Sequence, residues 1–359
     1  MLTFIDFFAG VGGFRKGMMK AGHKPVGWCE IDKHARKSYI AIHEPGDEWN
    51  ATDIRLVRPE DLPEADCYCF GFPCQAFSIA GQRRGFEDTR GTLFFEVMRL
   101  ARERQPKYLF AENVAGLLSH DGGRTFATIL CSLWECGYEW QYQVLNSKNF
   151  GVPQNRERVY IIGHLRGTPR PEVFPVFGTD GKVDETDCEM RFLNRPEFGN
   201  HKDPVMVIQK THGATTTIHN NETGTLQAAR VDKIPCIPVL TAQDRHGIVM
   251  LGVLDGTGHE QNRRVYSSSG ISPTLNGIGN GGNHEPKIFH EAIIRKLTPR
   301  ECWRLQGWDD EDFEKAAAVC SDSQLYKQAG NGVTVNVIEA IAKRLGPSSY
   351  FKTNSLKRR

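Results

Sequence analysis

A single cysteine, Cys74, stands in GFPCQAFSIAGQRRGFED, residues 71–88, between a proline and a glutamine and ahead of two consecutive arginines. A core cysteine sits among aliphatic neighbours and needs none of this. A nucleophilic thiolate needs a fixed position, nearby positive charge and a segment able to close over it. The Pro-stiffened turn and the small-residue, basic stretch behind it meet those needs. Two further groups carry charge in usable patterns. Glu112 and Asn113 follow the apolar run YLFA. Partial burial there favours a protonated carboxyl; an acid paired with an arginine is the alternative. Arg156 and Arg158, in QNRERVY, stand two apart in a strand-like segment and so share one face. Paired arginines hold a phosphate, a base edge or a carboxylate, unless they are surface charges beside Glu157.

A second constellation opens the chain. In DFFAGVGGF a strand runs into Gly10, Gly12 and Gly13 and then into a helix. Such glycines let backbone approach a ligand closely, although the spacing is not the G-x-G-x-x-G of dinucleotide sites. Glu30 closes the second strand at about the distance at which an acid meets ribose hydroxyls. Asp53 closes the third, where it can accept from an adenine amino group. Singly each acid is a cap or a solvated charge; together they fit an adenosine-containing cofactor.

These residues need a scaffold that gathers them. LTFIDFFA, PVGWCEI, ADCYCFGF and KYLFAENV are apolar, strand-like runs separated by the helical GFRKGMMKAG, DKHARKSYIAIH and LFFEVMRLARER. After the helical TFATILCSLWECGY come QYQVLNSKNFG and RVYIIGHL. Strands alternating with helices of this length predict a mostly parallel α/β sheet covered on both faces, with ligands beyond the strands' carboxyl ends. Asp6, Glu30, Asp53, Cys74 and Glu112 all fall at or near such ends. Composition shifts after about residue 170. Short β runs such as PVMVIQK and IPCIPVL then alternate with Gly, Asn, Thr and Ser, which predicts a smaller, loop-heavy β-rich domain. In LTPRECWRLQGW, Thr298, Pro299 and Glu301 mark a helix start. The helical TVNVIEAIAKRLG is expected to pack back on the first domain.

Composition limits the rest. With 39% hydrophobic and 25% charged residues over 359 positions, the chain reads as a globular protein of one or two domains. It holds no apolar run long enough to span a bilayer and opens without a basic leader, so a cytoplasmic setting is expected. Ten cysteines without zinc-like spacing argue against both a disulfide framework and a metal. Cys67 and Cys69, in one strand-like run, are expected on opposite sides of the sheet. The net charge of +2 does not announce a polyanionic partner.

FPCQAFS, ENV, QNRER, the opening DFFAGVGGF and the late LTPRECWRLQGW and QAGNGVTVNVIEAI occur in one chain in one order. In that order they resemble the cytosine-C5 DNA methyltransferases of bacteria and phages, over residues 1–165 and 290–346. PCQAFSIAGQRRGFEDTRGTLFF is especially close to the small restriction-modification enzymes. Gly332 stands where many relatives carry serine.

The resemblance implies a Rossmann-like S-adenosylmethionine-dependent fold and a double-stranded DNA partner from which one cytosine is flipped out. Cys74 would add to cytosine C6 so that C5 can accept a methyl group. Glu112 would stabilise the ring at N3, and Asn113 would orient the loop. Arg158, with Arg156 in support, would favour the thiolate. For the cofactor it implies Asp6, Phe8, Ala9, Gly10, Gly12, Gly13 and Phe14 around the first turn. Glu30, Ile31, Asp53 and Ile54 follow at the next two strand ends, then Pro73, Leu93, Asn331 and Val333. For DNA it implies Ser78, Gln82, Arg83 and Arg84 in the Cys74 loop, and Gln261, Arg263, Arg264 and Thr274 in the β-rich insert. The expected division is a catalytic and cofactor domain over 1–172, a target-recognition domain over 173–296, and a hinge with a returning helix over 297–359. A monomer without metal is expected, with a cognate restriction endonuclease acting on the same site without a stable complex. The competing readings are a transfer-RNA methyltransferase of the same architecture, a catalytically silent DNA-binding protein, and a nicotinamide oxidoreductase. The last leaves Cys74 unexplained.

Overall fold

The computed structural model describes residues 1–72, 93–178, 248, 250–253, 264–275, 286–290 and 293–345. The chain begins with β1 (Thr3–Phe7), α1 (Gly13–Lys20), β2 (Lys24–Cys29), α2 (Lys33–His43), β3 (Trp49–Ala51) and β4 (Cys67–Gly71). Next come α3 (Leu93–Arg104), β5 (Tyr108–Val114), α4 (Arg124–Glu135), β6 (Tyr138–Asn146) and β7 (Glu157–Leu165). These strands form one seven-stranded sheet in the order β3-β2-β1-β4-β5-β7-β6. The first five pair in parallel, and β7 runs antiparallel to both its neighbours.

Side-chain alternation sorts this sheet into two cores. Ile5, Phe7, Tyr68, Phe70, Leu109, Ala111, Val159 and Ile161 pack toward α3 and α4. Phe4, Cys67, Cys69, Phe110, Tyr160 and Ile162 face α1 and the C-terminal helix. A period of two on a sheet covered on both faces produces this division. It also corrects the expectation for Cys67 and Cys69. Residues two apart in a strand share a face, and their Sγ atoms lie 3.8 Å apart in the same cluster.

The second sheet contains β8 (Met250–Val253), β9 (Arg264–Ser267), β10 (Lys287–His290) and β11 (Ile293–Lys296), in the order β11-β10-β9-β8. The expected runs PVMVIQK and IPCIPVL lie outside the described residues. The chain then forms α5 (Pro299–Arg304), α6 (Asp310–Ala317), α7 (Asp322–Asn331) and α8 (Val335–Ala342). The helix start read at Thr298 is a full capping box: the Thr298 side chain accepts from the Glu301 amide, and Glu301 accepts from the Thr298 amide. Arg295 adds a two-pronged ion pair that brings the Glu301 carboxyl down to about 2. Helix α8 returns to the first sheet and packs on α1. A Cβ on Gly17 would come within 2.6 Å of Ile338 Cβ, so the two helices approach through a glycine.

Buried histidines give this fold an acid limit. His164 is 1% exposed, and burial, then the charge of Arg170, lowers its pKa to about 4. His43 behaves alike, lowered to about 3, chiefly by burial. An unfolded histidine titrates near ~6.5, so below that value the unfolded chain takes up protons that the folded chain refuses. Stability is therefore full above about pH 6.5 and falls as pH drops toward the folded values. Each group contributes up to ~1.4 kcal/mol per pH unit. The raised carboxyls of Asp6 and Glu30 act in the opposite sense, so the histidine share is read by comparison: the change in Tm between pH 6.5 and 5 should be less downward in His164→Gln than in the native protein, and an identical pH dependence contradicts this.

Candidate active site

Strand direction decides what meets at the carboxyl edge of the first sheet. β1, β2, β4 and β5 end there, delivering Phe8, Glu30, Phe72 and the Glu112–Val114 segment. β7 runs the other way, so it begins at that edge. The register places Arg158 opposite Val114 and Tyr160 opposite Glu112. Glu112 and Arg158 are thus diagonal neighbours on one face, within reach of long side chains. They extend two apolar stripes of the α8-facing core, Tyr108–Phe110 and Ile162–Tyr160, into charge at the rim.

Here Arg158 Nε lies 2.8 Å from Glu112 Oε1, both side chains being largely buried. The acid–arginine alternative read from the sequence is therefore realised. Gly71 leaves room for the carboxylate: a Cβ at that position would stand 3.3 Å from Glu112 Oε2. Asn113 is buried and donates through Nδ2 to the Phe72 carbonyl at 2.9 Å, while its Oδ1 accepts from the Val114 amide. It fastens the end of β5 to the chain two positions before Cys74. Pro73, Cys74, Ser78, Gln82, Arg83 and Arg84 lie outside the described residues, as do Gln261 and Arg263.

Arg156 has different partners from those expected. It is 2% exposed, and its guanidinium donates to the carbonyls of Leu275, Gly330 and Gly332 at 3.3, 3.1 and 2.7 Å. Burial, then the nearby charge of Arg158, lowers its pKa to about 10, so it is still a cation at neutral pH. The two arginines share a face, as their spacing predicts. One meets the carboxylate and the other holds backbone.

The opposite wall is the glycine turn. Phe8, Gly10 and Gly12 all have positive φ, at 55°, 56° and 88°. Gly12 is required there twice over, because a Cβ would also strike the His43 ring, whose Nε2 contacts the Val11 carbonyl at 2.9 Å. Glu30 braces the turn: Oε2 accepts from the Gly10 amide and Oε1 from the Asp32 amide, each at 2.7 Å. Burial raises its pKa and these amide bonds oppose the rise. Asp32 caps α2 and pairs with Lys327 Nζ at 2.6 Å. Phe8, Gly10, Glu30, Asn331, Glu112, Asn113, Arg156 and Arg158 line one cleft of about 460 Å3.

Other expected cofactor residues stand elsewhere. Asp6 points from the α8-facing side of β1 into the first turn of α1, where Oδ2 accepts from the Arg15 amide, and burial raises its pKa well above the usual range. Ala9, Phe14, Ile54 and Val333 are buried packing residues, Val333 lying against Gly13. Leu93 packs on the α3 side of the core, and Ile31 is 58% exposed. The Asp53 carboxylate is forked by Arg55 Nε and Nη2 and caps its own 3-10 turn. Asp53 is not among the residues that line the cleft. Thr274 donates to the Asn155 carbonyl at 2.6 Å, and Arg264 begins β9. The sequence reading missed the lining residues Phe72, Asp32 and Lys327. Asp32 was legible as a helix cap two residues after Glu30; Lys327 carries no local signal. Among the described residues no cluster could hold a metal, and no helix is long and apolar enough to cross a membrane.

The model of the family described as C-5 cytosine-specific DNA methylase matches residues 2–347. The type II methyltransferase M.HpaII of Haemophilus parainfluenzae is 38% identical over 355 residues, covering 96% of this chain and 88% of that protein. M.HhaI of Haemophilus parahaemolyticus is 35% identical, covering 98% and 96%. The orphan methyltransferase M.SPBetaI of Bacillus phage SPbeta is 33% identical, covering 96% and 97%. Among solved structures, the S. pombe Dnmt2 methyltransferase shares the fold with a TM-score of 0.59 at 17% identity, covering 95% and 97%. With so much identity along almost the full length of these relatives, the protein belongs to the C-5 cytosine-specific DNA methylases, S-adenosylmethionine-dependent enzymes that methylate cytosine through a covalent adduct.

Proposed function

We propose that Cys74 is the nucleophile, that Glu112 and Arg158 work on the cytosine ring as a pair, and that residues 173–296 select the DNA sequence. The observation that carries the catalytic half is the Glu112–Arg158 pair at the rim of the cleft, with Asn113 tied to Phe72 beside it. The Cys74 thiolate adds to C6 of a flipped-out cytosine. The C5–C6 π pair moves into the ring toward N3, where Glu112 gives a proton. Arg158 neutralises the carboxylate that this donation leaves. Loss of the C5 proton to a base then expels the thiolate, and N3 returns its proton to the Glu112 carboxylate, which restores the neutral ring. Bound S-adenosylmethionine supplies the methyl group for C5. None of these atoms is reachable in stacked duplex, so the base must leave the helix.

The cleft suits that cofactor. Its volume falls in the ~300–1,000 Å3 range of small-molecule sites. Glu30 uses both oxygens to brace the turn, and each carboxylate oxygen keeps a second acceptor position for a ribose hydroxyl. Replacing Glu30 by alanine should weaken S-adenosylhomocysteine binding by ~1.5–3 kcal/mol, roughly 10- to 150-fold. Unchanged affinity by titration calorimetry contradicts the assignment.

Residues 1–172 would then be the catalytic and cofactor domain and 297–359 a hinge with a returning helix. Specificity falls to the insert between them because the catalytic residues suit any cytosine. Arg263 and Arg264 suit guanine edges or phosphate, and Gln261 suits a base edge. The protein acts as a cytoplasmic monomer without metal, on the same site as a restriction endonuclease or as a phage's self-protection. Bisulfite sequencing of DNA from expressing cells maps the methylated site. Exchanging residues 173–296 for the insert of a relative with different specificity should move that site. An active chimera that still marks the original sequence contradicts the recognition assignment. Greater methyl uptake by transfer RNA than by DNA contradicts the substrate.

A further inference from the structure

Arg156 joins two parts of the molecule that are far apart in sequence. On one side Nη1 donates to the Leu275 carbonyl. Leu275 lies on a segment that runs on from β9 and zips along residues 153–155. Ser272 donates to the Pro153 carbonyl and accepts from the Asn155 amide, both at 2.8 Å, and Thr274 donates to the Asn155 carbonyl. On the other side Nη2 donates to Gly330 and Gly332, which flank Asn331 in the lining of the cleft that also holds Glu30. A buried cation bound by three carbonyls has a steep energetic preference for the one backbone arrangement that satisfies it. Displacing the 272–275 segment would strip a carbonyl from the guanidinium that also fixes the cofactor wall.

We infer that Arg156 is a positioning residue that couples DNA engagement by the insert to cofactor binding in the cleft. This rests on the reading of residues 173–296 as the DNA-recognition part. DNA that steadies the segment after β9 steadies Gly330–Gly332 through Arg156, and a filled cleft steadies the segment in return. Thermodynamic linkage makes the two effects equal.

The test compares the S-adenosylhomocysteine dissociation constant with and without a saturating duplex that carries the mapped methylation site. In the native protein DNA should tighten binding by ~5- to 150-fold, the usual span of such couplings. Arg156→Lys keeps the charge but its single ammonium cannot span three separated carbonyls. Its ratio should fall toward one, whatever happens to the DNA-free affinity. A folded Arg156→Lys variant with the native ratio overturns the inference, and so does a native ratio of one. Should the variant not fold, amide exchange on the native protein decides. Duplex without cofactor should slow exchange across residues 327–334, and unchanged exchange there overturns the coupling. The insert-exchange chimera tests the recognition reading separately, so either idea can fail alone.

Discussion

Cys74→Ala is expected to lower methyl transfer by at least ~10^4-fold, the scale on which covalent enzymes lose rate when the nucleophile is removed. Cofactor affinity and thermal stability should stay near native. The choice among ten cysteines is narrow. Cys29, Cys67, Cys69, Cys136 and Cys302 are buried. Burial pushes the Cys29 thiol up to about 12 and the Cys69 thiol well above its ordinary range. A thiol held protonated in this way is a poor nucleophile. Cys131 and Cys320 are partly exposed, but neither lines the cleft. Of the remaining three, Cys188 and Cys236 belong to the insert. Cys74 alone stands two residues after Phe72, a cleft residue whose carbonyl Asn113 holds. A duplex with 5-fluorocytosine at the target should trap the native protein, because fluorine at C5 cannot leave as a proton does and the C6–S bond persists. The same trapped complex with the alanine variant would show that another residue attacks.

Much of this arrangement was legible because it is local. Alternation at Tyr108–Phe110–Glu112 and Tyr160–Arg158 has a period of two, so the sequence alone puts acid and arginine each at the end of an apolar stripe. The Thr298–Glu301 capping box spans four residues and formed as read. The glycine turn and Glu30 follow from strand–turn–helix logic. The direction of β7 was not legible, although it determines that Arg158 begins at the edge where Glu112 ends. An antiparallel neighbour needs only the short 147–156 connection, and nothing in the apolar run RVYIIGHL reports its direction. The partners of Arg156 lie 119 to 176 positions away, and the Lys327–Asp32 pair spans 295. No local pattern encodes such contacts. Asp53 shows the opposite case, a contact that is local in sequence. Arg55, two residues on, offers a nearer partner than any ligand, and a local ion pair formed.

Glu112→Gln should reduce kcat by ~10^2–10^3, the range for a group that stabilises developing charge in a shielded site. Its KM for S-adenosylmethionine should stay within about threefold, because a group that acts mainly in the transition state changes kcat more than ground-state binding. The amide keeps an oxygen for Arg158 Nε but can neither supply a proton to N3 nor leave a neutralised carboxylate behind. A stability cost comes with it. Breaking a fully buried ion pair costs ~3–5 kcal/mol. The substituted amide would retain one hydrogen bond and the two side chains keep 14% and 10% exposure, so ~1–2 kcal/mol is expected here. A double-mutant cycle with Arg158→Met separates pair from parts. If the two side chains act as a unit, the double variant should be little slower than the slower single variant. Strictly multiplicative losses would mean that each acts alone on the ring, and a Glu112→Gln enzyme within threefold of native kcat would remove Glu112 from the chemistry altogether.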